Sequence, residues 1–141
     1  MTEQELKDWT KRLVVRLVGP LQNLPRDPIC QVYVRQLARC SSSVAANYRS
    51  ACRGRSDAEM AAKLGLVEEE ADESQLWIEI IQETGFSSDP VFEQIHKEYG
   101  EIVAIMVASR RTLRTRIAVS GSSIRETARG YDESFDETDD L

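Results

Sequence analysis

The sequence has few of the residues that mark specialised protein classes. Its 141 residues include 7 glycines and 4 prolines, too few for a collagen-like chain or for one that is disordered throughout. The longest uninterrupted apolar run, Ile102 to Ala108, is far shorter than the ~20 residues of a membrane span. The N-terminus, Met1 to Glu5, is acidic, unlike a signal peptide. We therefore expect a cytoplasmic protein with no membrane association.

Histidine is almost absent, and this limits the catalytic chemistry. The single histidine, His96, excludes most histidine-based catalysis and most histidine-rich metal sites. With Glu93 it forms E-x-x-H, a spacing used in di-iron four-helix bundles, but a complete site needs this pair twice and two further glutamates. No nucleophile-elbow serine and no Walker or dinucleotide glycine motif is present. We expect no enzymatic activity, no metal and no cofactor.

The cysteines are odd in number and widely spaced. Cys30, Cys40 and Cys52 lie in what the periodicity indicates is one helix. Because a helix rises ~1.5 Å per residue, while the Cα atoms of a disulfide are ~4.4–6.8 Å apart, no pair can be bonded within that helix. No C-x-x-C spacing supports a zinc site. We expect buried, reduced thiols.

Four segments show helical periodicity, and none alternates with period two. The first begins at a capping box of Thr2 and Glu5 and is interrupted by Pro25, the second spans about 29–54, and the third spans roughly 57–84. The fourth begins at Pro90 and thins out near Arg116. Because short connections favour antiparallel neighbours, we predict an all-α, antiparallel up-down four-helix bundle over residues 1–118. The predicted core positions of the second helix are Ile29, Tyr33, Leu37, Cys40, Val44, Tyr48 and Ala51.

The negative charge is concentrated at the C-terminus. Residues 125–141 contain seven acids and two bases, a net charge of −5, so residues 1–124 contribute −1 to the total of −6. The composition predicts a disordered acidic tail over residues 119–141. Acidic segments with spaced apolar anchors commonly fold onto partners, so the tail is also a candidate docking peptide. Its sizeable apolar residues are Ile124, Tyr131, Phe135 and Leu141.

An arginine line runs along the second helix. Arg35, Arg39, Arg49 and Arg53 lie on one side, roughly opposite the core positions, and extend over about 27 Å at ~1.5 Å per residue. Such a line could contact nucleic-acid phosphates by charge-assisted hydrogen bonds. It could equally be a solvated surface, or pair with the acidic run 68–73 of a neighbouring helix.

The third helix has a second line of residues with a seven-residue repeat. This line lies on a different side of the helix from core positions such as Leu64 and Val67. A helix that is apolar on two sides needs two burial surfaces, so we predict a subunit interface there. The alternatives are a central position in the core, or singly exposed apolar residues, which are common. The predicted interface residues are Ala62, Leu66, Glu69, Glu73, Leu76, Trp77 and Ile80.

Two motifs in the second and third helices resemble a known bacterial family. The first is S-x-A-A-N-Y-R, beginning at Ser43 and containing Asn47, and the second is E-E-x-D-E-S-x-x-W, with Glu70 as its second glutamate and Trp77 at its end. Together they resemble the four-helix-bundle family of the 23S ribosomal RNA intervening-sequence protein, over roughly residues 5–116. We assign Ser43, Asn47 and Glu70 structural roles.

The resemblance implies a ring-shaped homopentamer of short antiparallel bundles. It also implies a relative, the accessory protein of diversity-generating retroelements, which uses a basic surface to engage nucleic acid and a reverse transcriptase. We therefore expect a non-enzymatic oligomeric module that binds RNA or DNA through the arginine line. The alternative is a protein-binding scaffold that docks partners through its acidic-aromatic tail. A combined hypothesis is that the tail covers the arginine line and weakens nucleic-acid binding.

Overall fold

The chain forms four α-helices joined by short turns. The structure is a computed structural model that describes the backbone of residues 1–135 and the side chains of residues 1–121. The helices span Glu3–Gln22 (α1), Pro28–Ala51 (α2), Asp57–Glu83 (α3) and Pro90–Phe135 (α4). The chain reverses at each turn, so the predicted all-α antiparallel bundle is confirmed. None of the helices within the described residues is long and apolar enough to cross a membrane.

Side-chain caps fix where the first three helices begin. The Thr2 hydroxyl accepts a hydrogen bond from the Glu5 amide at 3.1 Å, and the Glu5 carboxylate accepts one from the Thr2 amide at 2.8 Å. This confirms the predicted capping box. The Asp27 side chain caps α2 by accepting from the amides of Ile29 and Cys30, and the Ser56 side chain caps α3 by accepting from the amide of Glu59. After α3, Gly85 adopts a φ of +77°, which a residue with a side chain rarely adopts.

All four helices contribute buried side chains to the core, including Leu13 and Leu17 of α1. α3 packs along both α2 and α4, whereas α1 packs mainly on α2 and touches α4 at few points. The predicted core position at Ile29 is wrong, because this side chain is 61% exposed and Cys30 is buried in its place. The reason is helical phase: Cys30, Leu37 and Val44 are spaced by seven residues and so share one face of α2.

α4 is longer than the sequence predicted. Its last buried side chain among residues 1–121 is Leu113, so packing against the bundle ends close to where the apolar pattern thins out. The helix nevertheless continues to Phe135, and the predicted boundary after residue 118 falls within it. The side chains of residues 122–141, and residues 136–141 altogether, lie outside the described part of the chain. The predicted tail thus overlaps the backbone of α4 over residues 119–135, and only its residues 136–141 lie wholly outside the described part of the chain.

One carboxylate joins α1 to α4. The indole Nε1 of Trp9 donates a hydrogen bond to Glu98 Oε1 at 2.9 Å, and Arg16 Nη1 donates to Glu98 Oε2 at 2.7 Å. Burial by itself would raise the pKa of Glu98, but the hydrogen bonds from Trp9 and Arg16 outweigh it and lower that pKa below its ordinary value. Glu98 is therefore ionised at neutral pH, and it stabilises the contact between these two helices.

Candidate functional site

Three of the predicted arginines, Arg35, Arg39 and Arg49, lie on the outer side of α2, and Arg53 lies in the turn that follows this helix. Arg35, Arg39, Arg49 and Arg53 are all exposed, because the buried heptad that contains Leu37 faces the opposite side of the helix. The geometry predicted from helical spacing is therefore present for Arg35, Arg39 and Arg49, whereas the predicted helix end near residue 54 is wrong because α2 ends at Ala51. The availability of each guanidinium to a phosphate depends on whether a carboxylate already pairs with it.

Further cationic side chains lie beside the arginine line, in a groove between α1 and α2. Small side chains on α2, including Ala45 and Ala46, leave space between the two helices, and Val15 of α1 contributes an apolar side. Lys7 and Lys11 of α1 line the groove opposite Arg49, together with the acid Asp8. The groove also includes Gln4, Val14 and Ser42.

The sequence analysis did not find Lys7 and Lys11. Their i,i+4 spacing places them on one side of α1, away from its buried residues Leu6 and Leu13. That spacing was the available signal. It does not indicate which neighbouring helix the lysines approach, because this depends on how α1 is rotated and offset against α2. We call Lys7, Lys11, Arg35, Arg49 and Arg53 together the cationic surface.

Arg39 differs from the other three arginines because it is ion-paired to α3. Its Nη2 lies 2.8 Å from Glu73 Oε2, and its Nη1 lies 3.4 Å from Glu70 Oε1. The alternative that the line pairs with the acidic run of a neighbouring helix is thus correct at this one position. Among the side chains of residues 1–121, no carboxylate lies within 4.0 Å of Arg35, Arg49 or Arg53.

A buried thiol lies beneath the Arg39 ion pair. Cys40 is fully buried, and its Sγ donates to Glu73 Oε2 at 2.9 Å and accepts from Arg39 Nη2 at 3.1 Å. Burial, with the adjacent Glu73 carboxylate, raises the pKa of Cys40 to about 12. The hydrogen bond from Cys40, followed by that from Arg39, lowers the pKa of Glu73. A protonated thiol beside an ionised carboxylate is a poor nucleophile.

Cys40, Glu70 and Glu73 are also the one group of potential metal ligands within the described residues, with ligand atoms within 4.8 Å of one another. Two features disfavour a metal there. Metals bind the thiolate, and the raised pKa of Cys40 keeps the thiol protonated. In addition, the Arg39 guanidinium already contacts the sulfur and both carboxylates. The E-x-x-H pair is not assembled either, since His96 Nε2 lies 3.2 Å from Glu79 rather than from Glu93.

The second side of α3 is largely uncovered in the single chain. Ala62 and Glu69 are exposed, Leu66 is 43% exposed and Leu76 is 46% exposed. Glu73 and Ile80 are partly buried. Leu66 and Leu76 are therefore apolar side chains that the rest of residues 1–121 leaves nearly half exposed.

Trp77 lies to one side of this surface. Its ring stacks on Tyr33 of α2, with 5.9 Å between ring centroids, so it packs between α2 and α3. Its indole Nε1 is buried and has no hydrogen-bond partner among the described residues. The structure thus gives Trp77 an intrachain packing role that the sequence analysis did not assign.

The motif residues with predicted structural roles make local contacts. Asn47 Nδ2 donates to the Ser43 carbonyl at 3.0 Å and to the Ser43 hydroxyl at 3.1 Å, within the same helix. Glu70 faces Arg39, and its carbonyl accepts a hydrogen bond from the buried Ser74 hydroxyl at 2.8 Å. The two sequence motifs therefore lie on the facing helices α2 and α3.

A family model described as "23S rRNA-intervening sequence protein" matches residues 3–108, which is most of the chain. The chain belongs to this family. The matched range covers α1, α2, α3 and the first part of α4, as far as residue 108. The resemblance found in the sequence motifs is therefore confirmed at the level of the family.

A solved structure supports the same assignment of fold. The chain is similar to a protein from Bacteroides thetaiotaomicron, described as being of unknown function and from the S23 ribosomal protein family. The two are 26% identical, the TM-score is 0.70, and the match covers 79% of this chain and 99% of the other. No curated protein matches the chain. The comparisons thus show the family and the bundle fold.

Proposed function

We propose that the protein is a cytoplasmic, non-enzymatic, homo-oligomeric module that binds RNA or DNA through its cationic surface. The observation that carries this proposal is the convergence of Lys7, Lys11 and Arg49 on one groove, flanked by Arg35 of α2 and by Arg53 in the turn after α2. None of these five side chains has an ion-pair partner among residues 1–121. The family description, which refers to a sequence within 23S ribosomal RNA, favours a nucleic acid over another polyanion.

The chemistry of the surface favours contacts to the backbone of the nucleic acid. Arginine contacts phosphate oxygens through two parallel N–H donors, and lysine contributes a compact charge. Each neutralised phosphate releases condensed cations, so log K falls by about 0.9 per contact for each tenfold rise in salt. If all five residues bind phosphate, the slope on duplex DNA is about −4 to −5. Contacts of this kind carry no sequence information.

A charge-reversal pair tests the proposal. We choose Lys11→Glu with Arg49→Glu, because these residues line the groove from opposite helices. We expect weaker binding to a fluorescent duplex and a salt slope shallower by about 2. The matched control is Arg12→Glu with Arg114→Glu, which changes net charge equally at exposed arginines outside the groove. Equal loss of affinity in both double variants would contradict a defined surface.

The oligomeric part of the proposal rests on the uncovered second side of α3. Leu66 and Leu76 are apolar residues that a neighbouring subunit would bury, and the resemblance implies a ring of five. Light scattering coupled to size exclusion should give a mass near five times 16.0 kDa. Leu66→Glu with Leu76→Glu should yield a smaller species with unchanged helical content. A monomeric wild-type chain would overturn this part of the proposal.

A protein-docking scaffold is the second candidate, and the length of α4 favours it. The helix extends 22 residues beyond Leu113, its last buried side chain among residues 1–121, so no described core side chain lies in the segment after Leu113. The partner implied by the resemblance is a reverse transcriptase. If a chain truncated after residue 119 captured every protein partner that the full chain captures, docking through the tail would be excluded.

A further inference from the structure

Arg39 lies in the arginine line but is held by another helix. Its guanidinium is 2.8 Å from the Glu73 carboxylate and 3.4 Å from that of Glu70, both on α3. Arg35, Arg49 and Arg53 have no such partner within residues 1–121. The line therefore contains one arginine whose charge is already compensated and whose donors already have acceptors.

The carboxylate that holds Arg39 is itself fixed in place. The buried Cys40 thiol donates to the same Glu73 oxygen that Arg39 contacts, at 2.9 Å. Because Cys40 is fully buried, this bond restrains Glu73 from the protein interior while Arg39 approaches from the solvent side. The lowered pKa of Glu73 is consistent with a carboxylate that stays charged.

The ion pair is nevertheless open to competition. The side chains of Arg39 and Glu73 are 52% and 46% exposed, and exposed ion pairs contribute little net free energy. A phosphate group offers the same guanidinium two oxygen acceptors in the same planar geometry. Arg39 can therefore exchange a carboxylate for a phosphate without exposing a buried charge.

We propose that Glu70 and Glu73 act as an internal competitor for Arg39. In the free protein the two carboxylates hold Arg39 away from ligands, and a nucleic-acid phosphate must displace them before Arg39 joins the cationic surface. This inference rests on the proposed nucleic-acid function and describes its regulation. It predicts that neutralising Glu73 strengthens binding by more than the change in net charge explains.

The test compares two glutamates that are four residues apart. Glu73→Gln removes the main partner of Arg39, whereas Glu69→Gln removes the same charge from an exposed residue that Arg39 does not contact within the described structure. Binding of the full chain to a 20-base-pair fluorescent RNA duplex is measured by anisotropy at low salt. We expect Glu73→Gln to bind about threefold more tightly than Glu69→Gln, the range an exposed ion pair allows. Glu70→Gln should give a smaller gain, since its contact is longer.

A second set of variants identifies Arg39 as the residue released. In an Arg39→Ala background, Glu73→Gln and Glu69→Gln should bind equally, because there is no guanidinium to release. Equal affinities in the wild-type background, or an advantage of Glu73→Gln that persists without Arg39, would overturn the inference. If these results occur while Lys11→Glu with Arg49→Glu weakens binding, the proposed function stands and only the competitor is wrong. If no variant binds the duplex, both fail.

Discussion

Glu98 shows how one side chain can join two helices that otherwise touch little. It accepts hydrogen bonds from Trp9 and Arg16 of α1, and few other contacts hold α1 against α4. The Trp9 side chain is nearly buried, so water cannot readily replace the lost acceptor if Glu98 is removed. The contribution of Glu98 should therefore be measurable in global stability.

We predict that Glu98→Ala lowers the free energy of unfolding by about 1–3 kcal/mol, since it leaves the Trp9 indole and the Arg16 guanidinium without their acceptor. Urea denaturation monitored by circular dichroism measures this change. Glu101→Ala, at an exposed position one turn along α4, is the control and should alter stability by less than about 0.5 kcal/mol. Equal effects would show that the Glu98 contact adds nothing.

The effect of Glu98 should also depend on pH. Its folded pKa lies below the unfolded value, so its stabilisation is complete above the ordinary carboxyl pKa of about 4.3 and is lost as pH falls through the folded pKa. The stability difference between wild type and Glu98→Gln should therefore be larger at pH 7 than at pH 3. A difference that stays constant on acidification would contradict this assignment.

At the scale of elements, the turn between α2 and α3 is tightly packed around Gly54. A Cβ atom there would lie 3.1 Å from the Ala51 carbonyl oxygen and 3.2 Å from the Met60 amide nitrogen. Both obstacles are backbone atoms, which cannot rotate away. At Gly100 of α4 the obstacle, at 2.9 Å, is the side-chain amide of Gln75, which donates a hydrogen bond to the His96 carbonyl.

We predict that alanine is tolerated at Gly100 but not at Gly54. Gly54→Ala should destabilise the protein by about 1–3 kcal/mol, because the backbone must shift to admit the methyl group. Gly100→Ala should stay within about 1 kcal/mol of wild type, since its gain in helix propensity offsets the lost Gln75 hydrogen bond. Thermal and urea unfolding measure both variants.

A background variant provides the control for Gly100. Once Gln75→Ala has removed the obstacle, adding Gly100→Ala should stabilise α4 by about 1 kcal/mol. If Gly54→Ala proved as stable as wild type, the turn would be looser than the structure indicates.

Helical periodicity predicted each element but not how the elements are arranged around the site. The spacing of Leu64, Val67 and Ala71 was enough to place the core side of α3, because one helix sets the phase of its own residues. It failed at Ile29, where a shift of one residue moved the core position to Cys30. The groove opposite Arg49 and the pairing of Arg39 with Glu73 depend on the rotation and offset between helices, which no single-helix pattern contains.

At the scale of the whole molecule, the acidic charge lies mainly outside the bundle. Residues 125–141 carry −5 of the total −6, while the part that contains the cationic surface is close to neutral. The acidic segment begins beyond Leu113, so removing it takes away no described core side chain. Its influence on a polyanionic ligand should therefore be separable from folding.

We predict that a chain ending at residue 121 keeps the unfolding temperature of the full chain and binds a nucleic-acid duplex several-fold more tightly at an ionic strength of about 0.05 M. The gain should fade near about 0.3 M, where salt screens the tail. Replacing Tyr131, Phe135 and Leu141 by alanine in the full chain is the control, since it keeps the charge. A similar gain in this control would indicate that the tail acts by docking, and no gain in either chain would reject inhibition by the tail.

The graded burial of three free thiols along a single helix has a kinetic consequence. Cys52 is half-buried at the end of α2, whereas Cys30 and Cys40 are fully buried between the helices. A thiol reagent can therefore modify Cys52 in the native state and must wait for the bundle to open before it reaches the other two. The rates at which Cys30 and Cys40 are modified therefore report how often α2 separates from its neighbours.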